Sequence, residues 1–194
     1  MHPTNHAHDL AGAVTEMAEG AAFNRLVHGT LMATVGLILL GFLGFADQLG
    51  LHRIFVRAGL MAYCVGWLAL LRAAVVNGFI VLGIIPTITT DPQALAENLR
   101  PLLALCSVTN KSLAQVGVIC LSAAAILWSI GLLRRTNLSR IPGVVGLLCG
   151  LIPAAALFAG RLPMDFHGFG GFTLLQGIWS ATIAVQLIRG RIAP

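Results

Sequence analysis

The chain has 194 residues, 57% hydrophobic and only 10% charged, with a formal net charge of +5 and a pI near 9.7. Soluble domains carry about 25% charged residues, so most of this surface must face lipid and a water-soluble globular fold is excluded. The basic residues stand at the ends of apolar runs, where snorkelling and topology account for them. No basic run or aromatic-interleaved motif suits nucleic acid.

Residues 1–27 do not read as a secretory signal, because Asp9, Glu16 and Glu19 stand where a basic n-region would be expected. The first eight residues contain His2, His6 and His8, a spacing able to catch a late transition metal through neutral imidazoles or, more simply, a polar tail. Leu10, Val14, Met17 and Ala21 then recur at helical spacing with Glu16 and Glu19 on another face, which predicts a short surface helix.

Five apolar spans come next. Their ruler is the run between Lys111 and Arg134, 22 residues without charge, which at ~1.5 Å per residue covers roughly 33 Å, one bilayer core. The first span, 28–45, lies between Arg25 and Asp47 and is rich in glycine, which in membrane helices favours close packing. A short connection with Asp47, His52 and Arg53 forces the second span, 55–85, to return antiparallel. In it, Arg72 lies ~22 Å beyond Arg57, close to the opposite surface and followed by Asn77. An ionisable residue at that depth is a functional-site candidate, although an arginine a turn or two below the surface can also snorkel.

Pro86 ends the second span, and Asp91-Pro92 reads as an N-cap with proline at the first helical position. Pro101 is expected to interrupt this outer helix, and the polar stretch through Ser107, Thr109, Asn110 and Lys111 leads into the third span, 111–133, along the surface or as an outward extension. The fourth span, 143–160, begins after Pro142. It carries Gly143, Gly146 and Gly150 on one stripe, a packing face, and Pro153, which predicts a kink. A loop with Pro163, Met164, Asp165 and His167 precedes the fifth span, 172–188, and Arg189 and Arg191 close the chain. Cys64, Cys120 and Cys149 read as small buried hydrophobes within spans; no paired spacing suggests disulfides.

One side of this layout collects Arg53, Arg57, Arg134, Arg135, Arg140, Arg189 and Arg191, the other Arg25, Arg100, Lys111 and Arg161. The basic excess favours the first side as cytoplasmic, with the N-terminus outside and the C-terminus inside.

His28, Arg72, Asn77, Asn110, Lys111, Asp165 and His167 fall at similar depth in the outer layer. Arg72 and Lys111, with Asn77 and Asn110 as hydrogen-bonding partners, suit an anionic ligand, a lipid headgroup or a partner subunit in a membrane assembly. Alternatively His28 and His167, each followed by glycine, ligate haem b or a transition metal with Asp165 in support. A His–Asp pair would also serve a small enzyme at the interface, although no nucleophile or HExxH pattern accompanies it. With few polar residues in the inner half of the spans, a channel or secondary transporter is disfavoured.

The run Leu132-Leu133-Arg134-Arg135-Thr136-Asn137-Leu138-Ser139-Arg140-Ile141-Pro142-Gly143, the glycine-rich span after it and the Gln176-x-x-Trp179 helix together resemble small multi-pass bacterial membrane proteins of uncharacterised families. The resemblance covers the C-terminal half and implies a bacterial inner-membrane location without assigning an activity. The sequence therefore predicts an all-α integral membrane bundle: residues 1–27 as tail and surface helix, residues 28–194 as five spans with an outer loop helix.

Overall fold

The structure, a computed structural model, describes residues 10–85, 92–134, 140–164 and 166–190. All regular structure among them is helical: α1 (Leu10–Glu19), α2 (Ala21–Leu49), α3 (Ile54–Val75), a π-turn (Val76–Ile80) leading into α4 (Val81–Ile84), α5 (Pro92–Leu133), α6 (Ile141–Phe158) and α7 (Phe166–Ile188). Five stretches are long and apolar enough to cross a bilayer: Ala21–Leu49, Ile54–Ile84, Glu97–Leu133, Ile141–Phe158 and His167–Ile188. The chain is an all-α membrane protein with five candidate spans, as the apolar runs predict.

Three helix ends follow local rules. Gly50 closes α2 with φ 91°, a left-handed conformation that glycine enters without a Cβ penalty, and its amide bonds back to the Asp47 carbonyl. Pro92 and Pro142 sit in the first turns of α5 and α6, where a missing amide hydrogen costs nothing. Pro101 departs from expectation, because α5 runs through it for 42 residues. Proline removes the hydrogen bond to the carbonyl four residues earlier, but position 101 is exposed and its neighbours Asn98, Leu99, Arg100, Leu102 and Leu103 leave no further breaker, so a single loss does not end the helix. The polar stretch 102–111 is therefore continuous with the third span in a single helix.

By compactness the chain divides into residues 1–35 with 69–114, and residues 36–68 with 115–194. In the first unit, α1 lays its fully buried Val14 against Val81 and Ile85 of the second span's end and Cys106 of α5, with Met17, Leu99 and Leu103 at the margin. The amphipathic spacing of α1 is thus used against protein.

The second unit is built on aromatic rings. Phe42, Tyr63, Trp128 and Trp179, all buried, meet at centroid distances from 4.5 Å for Phe42–Tyr63 to 6.0 Å for Trp128–Trp179. Such offset and tilted contacts add stabilisation beyond area burial. The Trp128 indole also donates to the Val56 carbonyl at 3.1 Å, and the Arg134 guanidinium lies 5.4 Å from the Phe55 ring centroid. Both contacts join the start of α3 to the end of α5, so the Arg53–Arg57 and Arg134 basic ends coincide in this unit.

Lipid tails are as apolar as leucine side chains, so packing between spans depends on close approach. Glycines provide it. A Cβ at Gly59 would meet the Trp128 indole at 2.7 Å, and one at Gly66 would meet Leu121 at 2.8 Å. The expected stripe on α6 is real: Gly143, Gly146 and Gly150 are all buried, with Gly150 against Ile126 and the Ser122 carbonyl. Cys64, by contrast, is exposed, because its position on α3 faces away from the aromatic core; all four cysteines are free.

Replacing Gly150 by alanine should lower the thermal midpoint in detergent, at a cost of about 1–3 kcal/mol, because its Cβ would lie 2.7 Å from a backbone carbonyl that cannot rotate away. Gly177→Ala, with open space at its Cβ, serves as the control and should leave the midpoint unchanged or raised. Equal midpoints for the two variants would contradict this packing.

Candidate ligand site

The candidate residues divide between the two units. His28, Arg72, Asn77, Asn110 and Lys111 belong to the first, His167 to the second. Asp165, His2, His6 and His8 lie outside the described residues.

The first unit contains the π-turn Val76–Ile80, which includes Asn77 and Gly78. Here the Val81 amide donates to the Val76 carbonyl, five residues back, so one extra residue is held in the turn. Such wide turns cost regular hydrogen bonding and recur at functional sites. The turn makes room for a neighbour. A Cβ at Gly78 would fall 2.5 Å from His28 Cγ and 2.6 Å from its Cβ, so the imidazole of α2 rests directly on the glycine.

His28 is half-buried, and its Nδ1 donates to the Asn24 carbonyl at 2.9 Å. A carbonyl can only accept, so Nδ1 carries a proton, and a neutral ring with that tautomer has its lone pair on Nε2. That tautomer is the one used by metal-ligating and hydrogen-bond-accepting histidines. Beside it, the Asn24 side-chain oxygen is buried without a partner among the described residues.

Arg72 is exposed and lies five residues before Asn77, which is half-buried. On α5 the adjacent Asn110 and Lys111 turn opposite ways: Lys111 is exposed, whereas Asn110 is half-buried with its Oδ1 enclosed and unpartnered among the described residues. The first unit therefore contains the candidate cations Arg72 and Lys111, the enclosed amide oxygens of Asn24 and Asn110, and the His28 imidazole. Its chemistry fits a ligand that is anionic and also carries hydrogen-bond donors.

His167 opens α7 and is exposed. Among the described residues no group of three or more His, Cys, Asp or Glu is arranged to hold a metal ion.

Sequence reasoning missed Asn24 and Gly78. Asn24 stands one turn before His28, a spacing that could have been read; the role of Gly78 depends on the π-turn, for which no local sequence rule exists. The chain matches no protein-family model, no curated protein and no solved structure.

A methyl at position 78 would collide with the near end of the His28 side chain, which cannot swing clear without breaking the bond to Asn24. Gly78→Ala should therefore shift the His28 imidazole NMR signals and cost about 1–3 kcal/mol in thermal stability. If both stay at wild-type values, His28 does not lie on the π-turn.

Proposed function

We propose that this protein binds an anionic lipid headgroup in the outer leaflet of a bacterial inner membrane, as a subunit of a membrane assembly. Arg72 and Lys111 supply the charge, and Asn77 and Asn110 the directional hydrogen bonds. The observation that carries this reading is the enclosed, unpartnered Asn110 Oδ1 in the unit that also holds both cations. An amide oxygen shut away beside apolar helices is costly unless a donor reaches it. A phosphodiester headgroup with free hydroxyls offers the anion to the cations and O–H donors to the amides. The N-terminus then faces the periplasm, and the arginine-rich ends of α3, α5 and α7 face the cytoplasm.

The test is lipid retention by native mass spectrometry in vesicle-derived nanodiscs that contain phosphatidylglycerol. Each of Arg72→Gln and Lys111→Gln should weaken retention roughly fivefold, about 1 kcal/mol per cation, while inorganic phosphate alone should not compete at equal concentration. Wild-type retention in the double variant would end this reading.

A second reading rests on the His28 tautomer. With Nδ1–H held by a carbonyl, Nε2 is set to ligate a haem iron or a late transition metal. Protein purified without a tag should then show a Soret band or stoichiometric metal that His28→Ala abolishes and Arg72→Gln leaves intact. A colourless, metal-free wild-type protein would remove haem and metal from consideration.

A further inference from the structure

Contacts within the second unit bring the ends of four helices to one place. Trp128, near the end of α5, donates to the Val56 carbonyl near the start of α3, and Gly143, at the start of α6, lies against Leu133 and the Ser129 carbonyl of α5. Gly146 meets Trp179, and the Cys149 carbonyl accepts from Gln176 Nε2, so α7 runs antiparallel to α6 and its last turn returns to the level of α6's first. Arg53, Arg57, Arg134, Arg140 and Arg189 therefore share one end of this unit, and all are exposed. Asp47 is the only acid among the unit's described residues.

The preference of basic residues for one face of a membrane accounts for charge at this end, but not for how Arg134 is held. Its guanidinium lies over the Phe55 ring, 5.4 Å from the centroid, and that ring is 42% exposed. A cation–π contact engages the charge and leaves the five N–H donors of the fork for an acceptor. One turn inward from Arg134, Gly131 is half-buried with open space where a Cβ would stand, a shallow recess on the apolar side of the cation. Ile54, next to Phe55 in sequence, is also exposed. All the cations at this end are arginine, whose planar fork matches a phosphate where a lysine offers only a point charge.

We propose that Arg134, lying over Phe55, is the centre of a second phospholipid site, separate from the one built on Arg72 and Lys111 in the first unit. The Arg134 fork takes the lipid phosphate, the exposed ring and the recess at Gly131 take the first part of an acyl chain, and the other arginines of this end favour a lipid with net negative charge. The pairing of cation and apolar surface selects the occupant. A free phosphate would use the guanidinium alone, and an acidic peptide or nucleic acid would leave the ring and the recess uncovered. The sequence hides the site because Phe55 and Arg134 are 79 residues apart and each reads as the ordinary end of a span.

The test uses variants that keep charge and apolarity but break the pairing. Native mass spectrometry is run on the full chain from nanodiscs of phosphatidylglycerol and phosphatidylcholine, in an Arg72→Gln/Lys111→Gln background. Because every comparison lies within that background, the result stands whether or not the first unit holds a lipid. Phosphatidylglycerol should still be retained. Arg134→Lys, which keeps the charge and loses the fork, should weaken retention about threefold, and Phe55→Leu, which keeps the apolar surface and loses the ring, about twofold to threefold. Arg189→Gln removes a whole charge from the same end but not from the site, and should weaken retention less than either. Inorganic phosphate at equal concentration should not compete. Unchanged retention in either Arg134→Lys or Phe55→Leu would overturn the proposal, as would a loss in Arg189→Gln equal to theirs, since both mark a diffuse response to charge. Competition by phosphate would overturn the lipid as occupant.

Discussion

Every polar group within the hydrocarbon must find its partner inside the protein, and that constraint shapes both units. It fixes the helical fold, because only helices pair their own backbone across a span. It also explains why glycine, with 22 copies, matters here more than in a soluble helix. Without a hydrophobic force between spans, helices cohere by touching closely, and Gly59, Gly66 and Gly150 are where a side chain would prevent contact. Where Gly146 admits Ser129 and Trp179, close approach brings two unpaired polar groups together instead.

The same constraint makes the π-turn informative. A regular α-helix through 76–80 would leave every backbone group in a standard bond; the wide turn gives up that regularity and gains a seat for His28 on Gly78. The imidazole is then steered by the Asn24 carbonyl, so one local distortion sets the ring's position and its neighbour on α2 sets its tautomer. Arg72 and Asn77 flank or occupy the distorted stretch, which gives their proximity in sequence a structural meaning that spacing alone does not carry.

The spans were legible because charge marks their limits: Arg25, Asp47, Arg57, Lys111 and Arg134 fall near helix ends or at the edge of an apolar run. The α6 stripe was legible because three glycines at helical spacing have one economical use. The extent of each span was therefore readable, but the grouping of residues between spans was not: His28 falls in the first compact unit and His167 in the second. Pro101 misled for a related reason: a breaker's local cost is fixed by chemistry, but whether the helix survives it depends on the helix-forming strength of the residues on either side. The burial of Ser122, Ser129, Gln176 and Gln186 was invisible because polar residues that face protein and polar residues that face lipid look alike in a one-dimensional pattern.

The length of α5 bears on how the cations should be understood. Forty-two residues rise ~63 Å, about twice a hydrocarbon core, so Lys111 stands well inside the helix. On its N-terminal side, Leu102, Leu105 and Val108 remain exposed, 40%, 62% and 63%, while Leu99, Leu103 and Cys106 turn toward α1. On α2 the exposed Phe23 likewise lies on the N-terminal side of Arg25. Exposed apolar side chains thus continue past Lys111 by roughly nine residues on α5, or ~14 Å. An arginine or lysine at the true edge of an apolar surface can snorkel into water at little cost. One with exposed leucine and valine on both sides along the helix has a longer way to reach, and an anion brought to it becomes the less costly means of neutralisation. This asymmetry supports the proposed headgroup over an interfacial belt, beside the enclosed Asn110 oxygen that carries the proposal.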